Sequence, residues 1–268
     1  MSLWKIIREA LGGKPRPRLP NFFICGAARS GTTSMWEYLR QHPDIFMPPV
    51  FEHKEPSFFC DSYGVGDWDA YLSLFAEAGK RKRVGEASGP YLTSPESPGR
   101  IKKVINDPRI VILLRNPAER AWSLFKWMHE NGYEKITSFP EALEAEEKER
   151  FNNPRFLQDH GQYYPNFLYF RSGLYHDQVK RFFDTFGREP VRLLLFEEMT
   201  RDPLAAVRGL FEFLGVDASF APKIQVHNPS SHHATFDPAL RRQLLARYAP
   251  DIDAVGQLLG RDLKSVWN

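Results

Sequence analysis

The segment Gly26-Ala-Ala-Arg29-Ser30-Gly31-Thr32-Thr33-Ser34 carries residue types that can hold a phosphate-bearing ligand. Gly26 and Gly31 bound a loop whose backbone N–H groups can turn toward one anion, and a helix starting behind Gly31 adds the positive end of its dipole. Asn21-Phe-Phe-Ile-Cys25 reads as a buried strand, so strand, loop and helix follow in the order of a phosphate-binding loop. The triphosphatase version of that loop has lysine after its second glycine. Here that position is Thr32, and the loop's cation is Arg29. The pattern points to a phosphate-containing donor that is not handled as Mg-ATP. A chance glycine pair in a turn is the competing reading.

A second cation stands where a metal ligand would be expected. Arg109-Ile-Val-Ile-Leu-Leu114 is a continuous apolar run, the pattern of a central parallel strand. Magnesium-dependent enzymes with this loop commonly end such a strand in aspartate, but this one is followed by Arg115. Arginine there speaks for a second anionic group and against a metal. Asn116-Pro117 supplies an N-cap and a first-turn proline for a helix that carries Ser123 about two turns on. The competing reading pairs Arg115 with a nearby carboxylate.

The elements that must position these residues alternate. Strands are expected at 22–25, 83–88, 109–114 and 191–196, with a short one near 45–49. Helices are expected from Thr32 to Gln41, Trp68 to Ala78, Ser97 to Asn106, Asn116 to His129, Glu141 to Arg150, Leu174 to Phe186 and Pro203 to Leu214. This alternation implies an α/β, P-loop-containing three-layer fold, a central parallel sheet flanked by helices, with ligands at the carboxyl ends of the strands. At 268 residues, one domain over 21–268 is the expectation, behind an amphipathic segment and linker at 1–20. Leu3, Ile6, Ile7, Ala10 and Leu11 form the apolar face of that segment, and packing on the domain is favoured over membrane contact. Residues 151–170, rich in Asn, Pro and Tyr, are too long for a plain connection and read as a lid over the acceptor site.

Composition narrows the class further. A formal net charge of +3 is too small to imply nucleic acid but suits anionic ligands. The two cysteines, Cys25 and Cys60, lack metal-ligand spacing and read as reduced thiols. His232-His233 has no paired ligands at suitable spacing, so no metal site is expected. No run has the length of a transmembrane helix, and the N-terminus lacks the apolar core of a signal peptide. A bacterial cytoplasmic setting is expected, and the oligomeric state is open.

Gly26-Ala-Ala-Arg-Ser-Gly-Thr-Thr33 resembles the 5′-phosphosulfate loop of sulfotransferases that use 3′-phosphoadenosine 5′-phosphosulfate (PAPS). Arg115-Asn-Pro-Ala-Glu-Arg-Ala-Trp-Ser123 is similar to their 3′-phosphate motif. Lys54-Glu-Pro-Ser-Phe-Phe59, Gly85-Glu-Ala-Ser-Gly-Pro-Tyr-Leu92 and Leu195-Phe-Glu-Glu-Met199 resemble linking segments, so the likeness covers about residues 20–230. It leans toward the bacterial and heparan-sulfate-type branches. The resemblance implies metal-independent, in-line transfer of a sulfuryl group to an acceptor hydroxyl, releasing 3′-phosphoadenosine 5′-phosphate (PAP). Sulfuryl transfer parallels phosphoryl transfer in needing positioned donors for the leaving phosphate, and the moving group's smaller charge removes the need for Mg²⁺.

The resemblance also implies roles. Arg29 aligns with the family's catalytic lysine and would clamp the phosphosulfate, although guanidinium cannot usefully donate its proton. Ser30, Gly31, Thr32, Thr33 and Ser34 would supply N–H and hydroxyl donors, and Arg115 with Ser123 would hold the 3′-phosphate. Glu55 aligns with the base of the heparan-sulfate branch, and desolvation beside Phe58-Phe59 could raise its basicity. A solvated Lys54–Glu55 pair is the competing reading. His53 ranks second as base and Glu86 third, with ordering of the strand end as Glu86's other role.

The chain departs from the pattern in three places. Ser34 stands where the cytosolic branch stacks a Trp on adenine, Phe196 replaces a tyrosine, and Asn228-Pro-Ser-Ser-His-His233 replaces an Arg-Lys-Gly clamp. The acceptor stays open among sugar, phenol, lipid head group and polyketide hydroxyl, with Tyr163, Tyr164 and Tyr169 as candidate contacts. A P-loop kinase or other NTP-dependent enzyme, and a non-catalytic anion-binding protein on the same fold, are the alternatives.

Overall fold

The computed structural model describes residues 18–50, 54–60, 64, 66–153, 156, 162–225 and 235–267. The amphipathic N-terminal segment, His53 and the 227–234 stretch lie outside the described residues.

Five parallel strands build the sheet: β1 (Phe22–Ile24), β2 (Ile45–Phe46), β3 (Arg83–Ala87), β4 (Arg109–Leu114) and β5 (Val191–Leu195), in the order β2-β3-β1-β4-β5. Around them run α1 (Thr32–Leu39), α2 (Trp68–Ser73), α3 (Pro90–Thr93), α4 (Ser97–Val104), α5 (Pro117–Glu130), α6 (Phe139–Ala145), α7 (Tyr175–Phe186), α8 (Phe196–Arg201), α9 (Pro203–Leu214), α10 (Pro238–Leu259) and α11 (Lys264–Trp267).

The unbroken apolar runs of β1 and β4 follow from burial on both faces. Alternate side chains feed two cores, as the period of a strand requires. Phe23, Ile110, Ile112 and Leu114 join Leu124 and Phe125 of α5, Val179 and Phe182 of α7, and Tyr248 and Ile252 of α10. Phe22, Ile24, Val111 and Leu113 face the other way, onto Met35, Trp36 and Leu39 of α1 and Leu210, Phe211 and Leu214 of α9. The result is the expected three layers.

The strand order also fixes where a ligand belongs. From β1 the chain runs outward to β2 and back to β3, then crosses to β4 and β5 on the other side. The switch between β1 and β4 opens a crevice at their carboxyl ends. Ladder pairing continues past β1, since Cys25 N–H donates to Val111 O at 2.8 Å and Leu113 N–H to Gly26 O at 2.7 Å. The phosphate-binding loop therefore starts beside the end of β4, and Arg115 emerges next to it.

Three elements differ from expectation. The helix expected over 68–78 is α2 followed by a 3₁₀ turn, Ala76–Ala78. Ser73 bonds back to Ala70 O at 2.7 Å where the helix ends, and Tyr71 and Phe75, four residues apart, are both buried in the core. The helix expected over 141–150 runs from Phe139 and ends in a π turn, Glu146–Arg150. Its charge run is exposed at Glu144, Glu147, Lys148 and Glu149 but not throughout: Glu146 accepts the N–H groups of Phe170 and Arg171, and buried Arg150 pairs with buried Glu134 at 2.6 Å. The expected end of the first helix at Gln41 retreats to Leu39.

Gly26 is a backbone position with no room for a side chain. Its φ is 114°, and a Cβ there would stand 2.8 Å from the Gly89 carbonyl oxygen and 2.9 Å from Leu92 Cβ. Gly26→Ala is expected to destabilise the fold by roughly 2–4 kcal/mol through strain and overpacking. Denaturant unfolding checks this, and a midpoint unchanged from wild type would show that the loop relaxes freely.

Candidate active site

The phosphate-binding loop ends in a helix start without a side-chain cap. Gly31 occupies the N-cap of α1 with φ 86°, and a Cβ there would meet Met199 Cε at 2.4 Å. Gly31 has no side chain to satisfy the first N–H groups of α1, which leaves them to an outside acceptor. Gly31, Thr32, Thr33 and Ser34 line a cavity of about 940 Å³ at the switch point, together with Arg29. Ser30 sits differently. Its N–H donates to Ala27 O at 3.2 Å, its hydroxyl is buried without a partner among the described residues, and it is not on the cavity wall they form.

Two guanidinium groups share this cavity. Arg29, at φ 65°, donates from Nε to Ser123 Oγ at 3.2 Å. Arg115 donates from Nη1 to the Arg29 carbonyl at 3.1 Å and lies over the Phe196 ring, 4.5 Å from its centroid. Burial lowers the pKa of Arg29, and the charge of Arg115 lowers it further. Burial likewise lowers that of Arg115, with Glu119 and Glu197 partly opposing. Those carboxylates are engaged elsewhere: Glu119 with Arg241 at 2.6 Å, Glu197 with Asn116 N–H at 2.8 Å and Trp267 Nε1–H at 3.0 Å. Among the described residues, the hydrogen-bond partners of the two arginines are a hydroxyl and a carbonyl. An anion placed between them would relieve both desolvation and repulsion.

Glu55 lines the same cavity. Its Oε1 accepts from Lys54 Nζ at 2.6 Å, and the pair is lopsided, with Lys54 3% exposed and Glu55 42%. The lysine is thus buried rather than solvated, and the carboxylate reaches the open space. Phe58 stacks on Tyr71 at 4.5 Å and Phe59 is 2% exposed, so the following residues anchor the segment in the core. Glu86 does not reach the cavity wall. It is fully buried on β3, accepting from Tyr71 and Tyr91 at 2.9 Å each and from Ser88 Oγ at 3.2 Å. Ser88 Oγ in turn accepts the N–H of Ser57 at 3.0 Å. Glu86 therefore supports the backbone two residues beyond Glu55.

The outer wall holds residues the sequence did not single out. Lys126, Trp127 and Tyr133 line it, with the two rings 5.8 Å apart. Lys126 and Trp127 lie near the end of α5 and Tyr133 follows it, and only the tertiary structure brings them to the cavity. Gln162 and Asn166 join them from the 151–170 stretch. The tyrosines expected there turn inward instead. Tyr163 bonds Pro90 O and Thr93, Tyr164 bonds Arg150 O, and Tyr169 bonds Glu134. Tyr163 and Tyr169 are buried and Tyr164 is half-buried, and none of the three lines the cavity, whereas Gln162 and Asn166 do.

The family profile described as Sulfotransferase domain matches residues 19–245. A crystal structure of a sulfotransferase from Alicyclobacillus acidocaldarius is 38% identical, with TM-score 0.80, covering 93% of this chain and 99% of that one. The membrane-associated sulfotransferase kil1 of Dictyostelium discoideum is 22% identical over 92% of this chain and 66% of its own length. The mouse (Mus musculus) heparan sulfate glucosamine 3-O-sulfotransferase 3B1 is 27% identical over 78% of this chain and 50% of its own length. The chain thus spans half to two thirds of the length of these two curated relatives.

Burial raises the Glu86 pKa to about 7 against an ordinary 4.5, with its three hydroxyl donors opposing. Between those values the folded chain holds a proton that the unfolded chain has released, so stability falls as pH rises through this window. The change is on the order of 3 kcal/mol. Denaturant unfolding at pH 5.5 and pH 8 should show wild type losing stability relative to Glu86→Gln across that interval. A difference that stays constant with pH would mean Glu86 titrates as an exposed carboxylate does.

Proposed function

Because the chain belongs to the sulfotransferase domain family, we propose that it moves a sulfuryl group from PAPS to an acceptor hydroxyl. One observation carries the reading: Arg29, Arg115 and Glu55 line one cavity at the uncapped start of α1. Arg29 and the N–H groups of α1 hold the 5′-phosphosulfate, and Arg115 with Ser123 holds the 3′-phosphate. The acceptor oxygen attacks sulfur in line, the sulfur–oxygen bond to the phosphate breaks, and PAP departs with that electron pair. Arg29 stabilises the charge growing on the bridging oxygen. Glu55 takes the acceptor proton as the new bond forms. No metal is needed, since two fixed guanidinium groups supply the positive charge. The NTP-dependent alternative lacks support, because Thr32 follows Gly31 and Arg115 follows β4.

The acceptor enters over Trp127 and Tyr133. Aromatic faces beside the amides of Gln162 and Asn166 suit a hydroxylated ring, and the heparan sulfate relatives favour a carbohydrate over the lipid and polyketide possibilities. Two cavity residues within 151–170 support that segment's role as a cover for the acceptor. Buried free Cys25 and Cys60 fit a reducing compartment such as a bacterial cytoplasm.

Two measurements test this assignment. Calorimetric titration should show PAP binding more tightly than adenosine 5′-phosphate. Arg115→Ala should weaken PAP by roughly 10- to 100-fold, the scale of charge-assisted hydrogen bonds, while barely changing adenosine 5′-phosphate. Equal loss for both ligands would remove Arg115 from the 3′-phosphate. Glu55→Gln keeps the shape and removes the basicity, so kcat should fall roughly 10²–10⁴-fold with PAP affinity intact. Near-wild-type turnover in Glu55→Gln would move the base elsewhere, His53 being the next residue to replace.

A further inference from the structure

Asn116 does more than start a helix. Its Oδ1 accepts the N–H groups of Ala118 at 3.0 Å and Glu119 at 3.2 Å, capping α5. Its own N–H donates to Glu197 Oε1 at 2.8 Å, and its Nδ2 donates to the Trp267 carbonyl. Trp267 closes the circuit, donating from Nε1 to Glu197 Oε2 at 3.0 Å. Three hydrogen bonds thus join three residues in a ring. The ring ties the end of β4, the first turn of α8 and the last turn of the described chain together. Trp267 is 1% exposed, so water cannot readily replace its indole N–H.

This ring grips the peptide that carries Arg115. The peptide between Arg115 and Asn116 has one carbonyl and one N–H. The carbonyl accepts from Tyr175 OH at 3.0 Å, and the N–H donates to Glu197. The plane is therefore held from both sides. The Arg115 side chain leaves this fixed base and lays its guanidinium over Phe196, the residue before Glu197. One short segment of α8 thus supports both the backbone and the side chain of Arg115. Because both Glu197 oxygens are taken by N–H donors, the carboxylate is held in place without capping the guanidinium.

We infer that Trp267, acting through Glu197 and Asn116, is a positioning residue for Arg115, and that this ring sets the chain's preference for a nucleotide bearing a 3′-phosphate. The inference rests on the reading of Arg115 as the holder of that phosphate. Trp267 does not line the cavity. Its effect is geometric: it keeps the Arg115–Asn116 peptide at the angle from which the guanidinium reaches a second anionic group. Misplacement costs affinity only where that group is present.

The test uses the full chain and calorimetric titration with PAP and with adenosine 5′-phosphate. Trp267→Phe keeps the aromatic packing and removes the N–H donor. It should weaken PAP roughly tenfold and adenosine 5′-phosphate less than twofold. Glu197→Gln has one acceptor oxygen for two donors and should act in the same direction, which keeps the idea testable if Trp267→Phe does not fold. In an Arg115→Ala background, Trp267→Phe should weaken PAP no further, a non-additivity that general loosening would not produce. The inference falls if folded Trp267→Phe or Glu197→Gln weakens both nucleotides equally or neither, or if the loss persists without Arg115. If Arg115→Ala is itself unselective, the reading of Arg115 fails and the inference with it. If Arg115→Ala is selective and neither ring variant is, only the inference fails.

Discussion

Two half-buried guanidinium groups that line one cavity, with no carboxylate paired to either among the described residues, are the constraint on which the rest of the structure depends. Both bear the cost of desolvation, and Arg29 bears the repulsion of Arg115 as well. A fold can keep such a pair only if backbone and packing determine it from several directions. Here a serine hydroxyl, a loop carbonyl and a phenyl ring provide the contacts. Each leaves the positive charge available. An ion pair with Glu119 or Glu197 would have neutralised the guanidinium, but both carboxylates are engaged elsewhere.

The sheet is what makes this possible. With β1 between β3 and β4, the loop after β1 and the residue after β4 leave the sheet at the same edge. Continued ladder pairing at Cys25, Gly26 and Ala27 removes slack between them. The left-handed Arg29 and Gly31 then turn the loop so that its cation and the N–H groups of α1 face one space. Two apolar cores clamp the sheet from both sides, so the geometry at its edge is set by packing rather than by loop chemistry.

Two carboxylates near the crevice show how environment separates roles. Glu55 and Glu86 are close in the fold, but one reaches solvent in the cavity and the other is sealed among tyrosines. Glu86 holds Ser88, Ser88 holds the Ser57 N–H, and that backbone leads into Glu55. The buried acid is part of the support for the exposed one. Lys54, paired with Glu55 from the buried side, completes the support without covering the carboxylate.

The sequence by itself determined the alternation of strands and helices, the phosphate-binding loop, and the cation at the end of β4. These are local properties: an apolar run, a glycine spacing and an Asn-Pro cap act within a few residues, where periodicity and backbone stereochemistry suffice. It also singled out Glu55, through the motif that carries it. Only the tertiary structure decided that Glu86 is buried away from the cavity, that Tyr163, Tyr164 and Tyr169 stay off its wall, and that Gln162 and Asn166 line it. Nor could any spacing rule link Trp267 to Asn116 across most of the chain. A side chain's direction depends on which neighbour removes it from water, and that neighbour is supplied by elements distant in sequence. Burial and long-range hydrogen bonds therefore distinguished supporting residues from cavity-lining ones among residue types that look alike on the page.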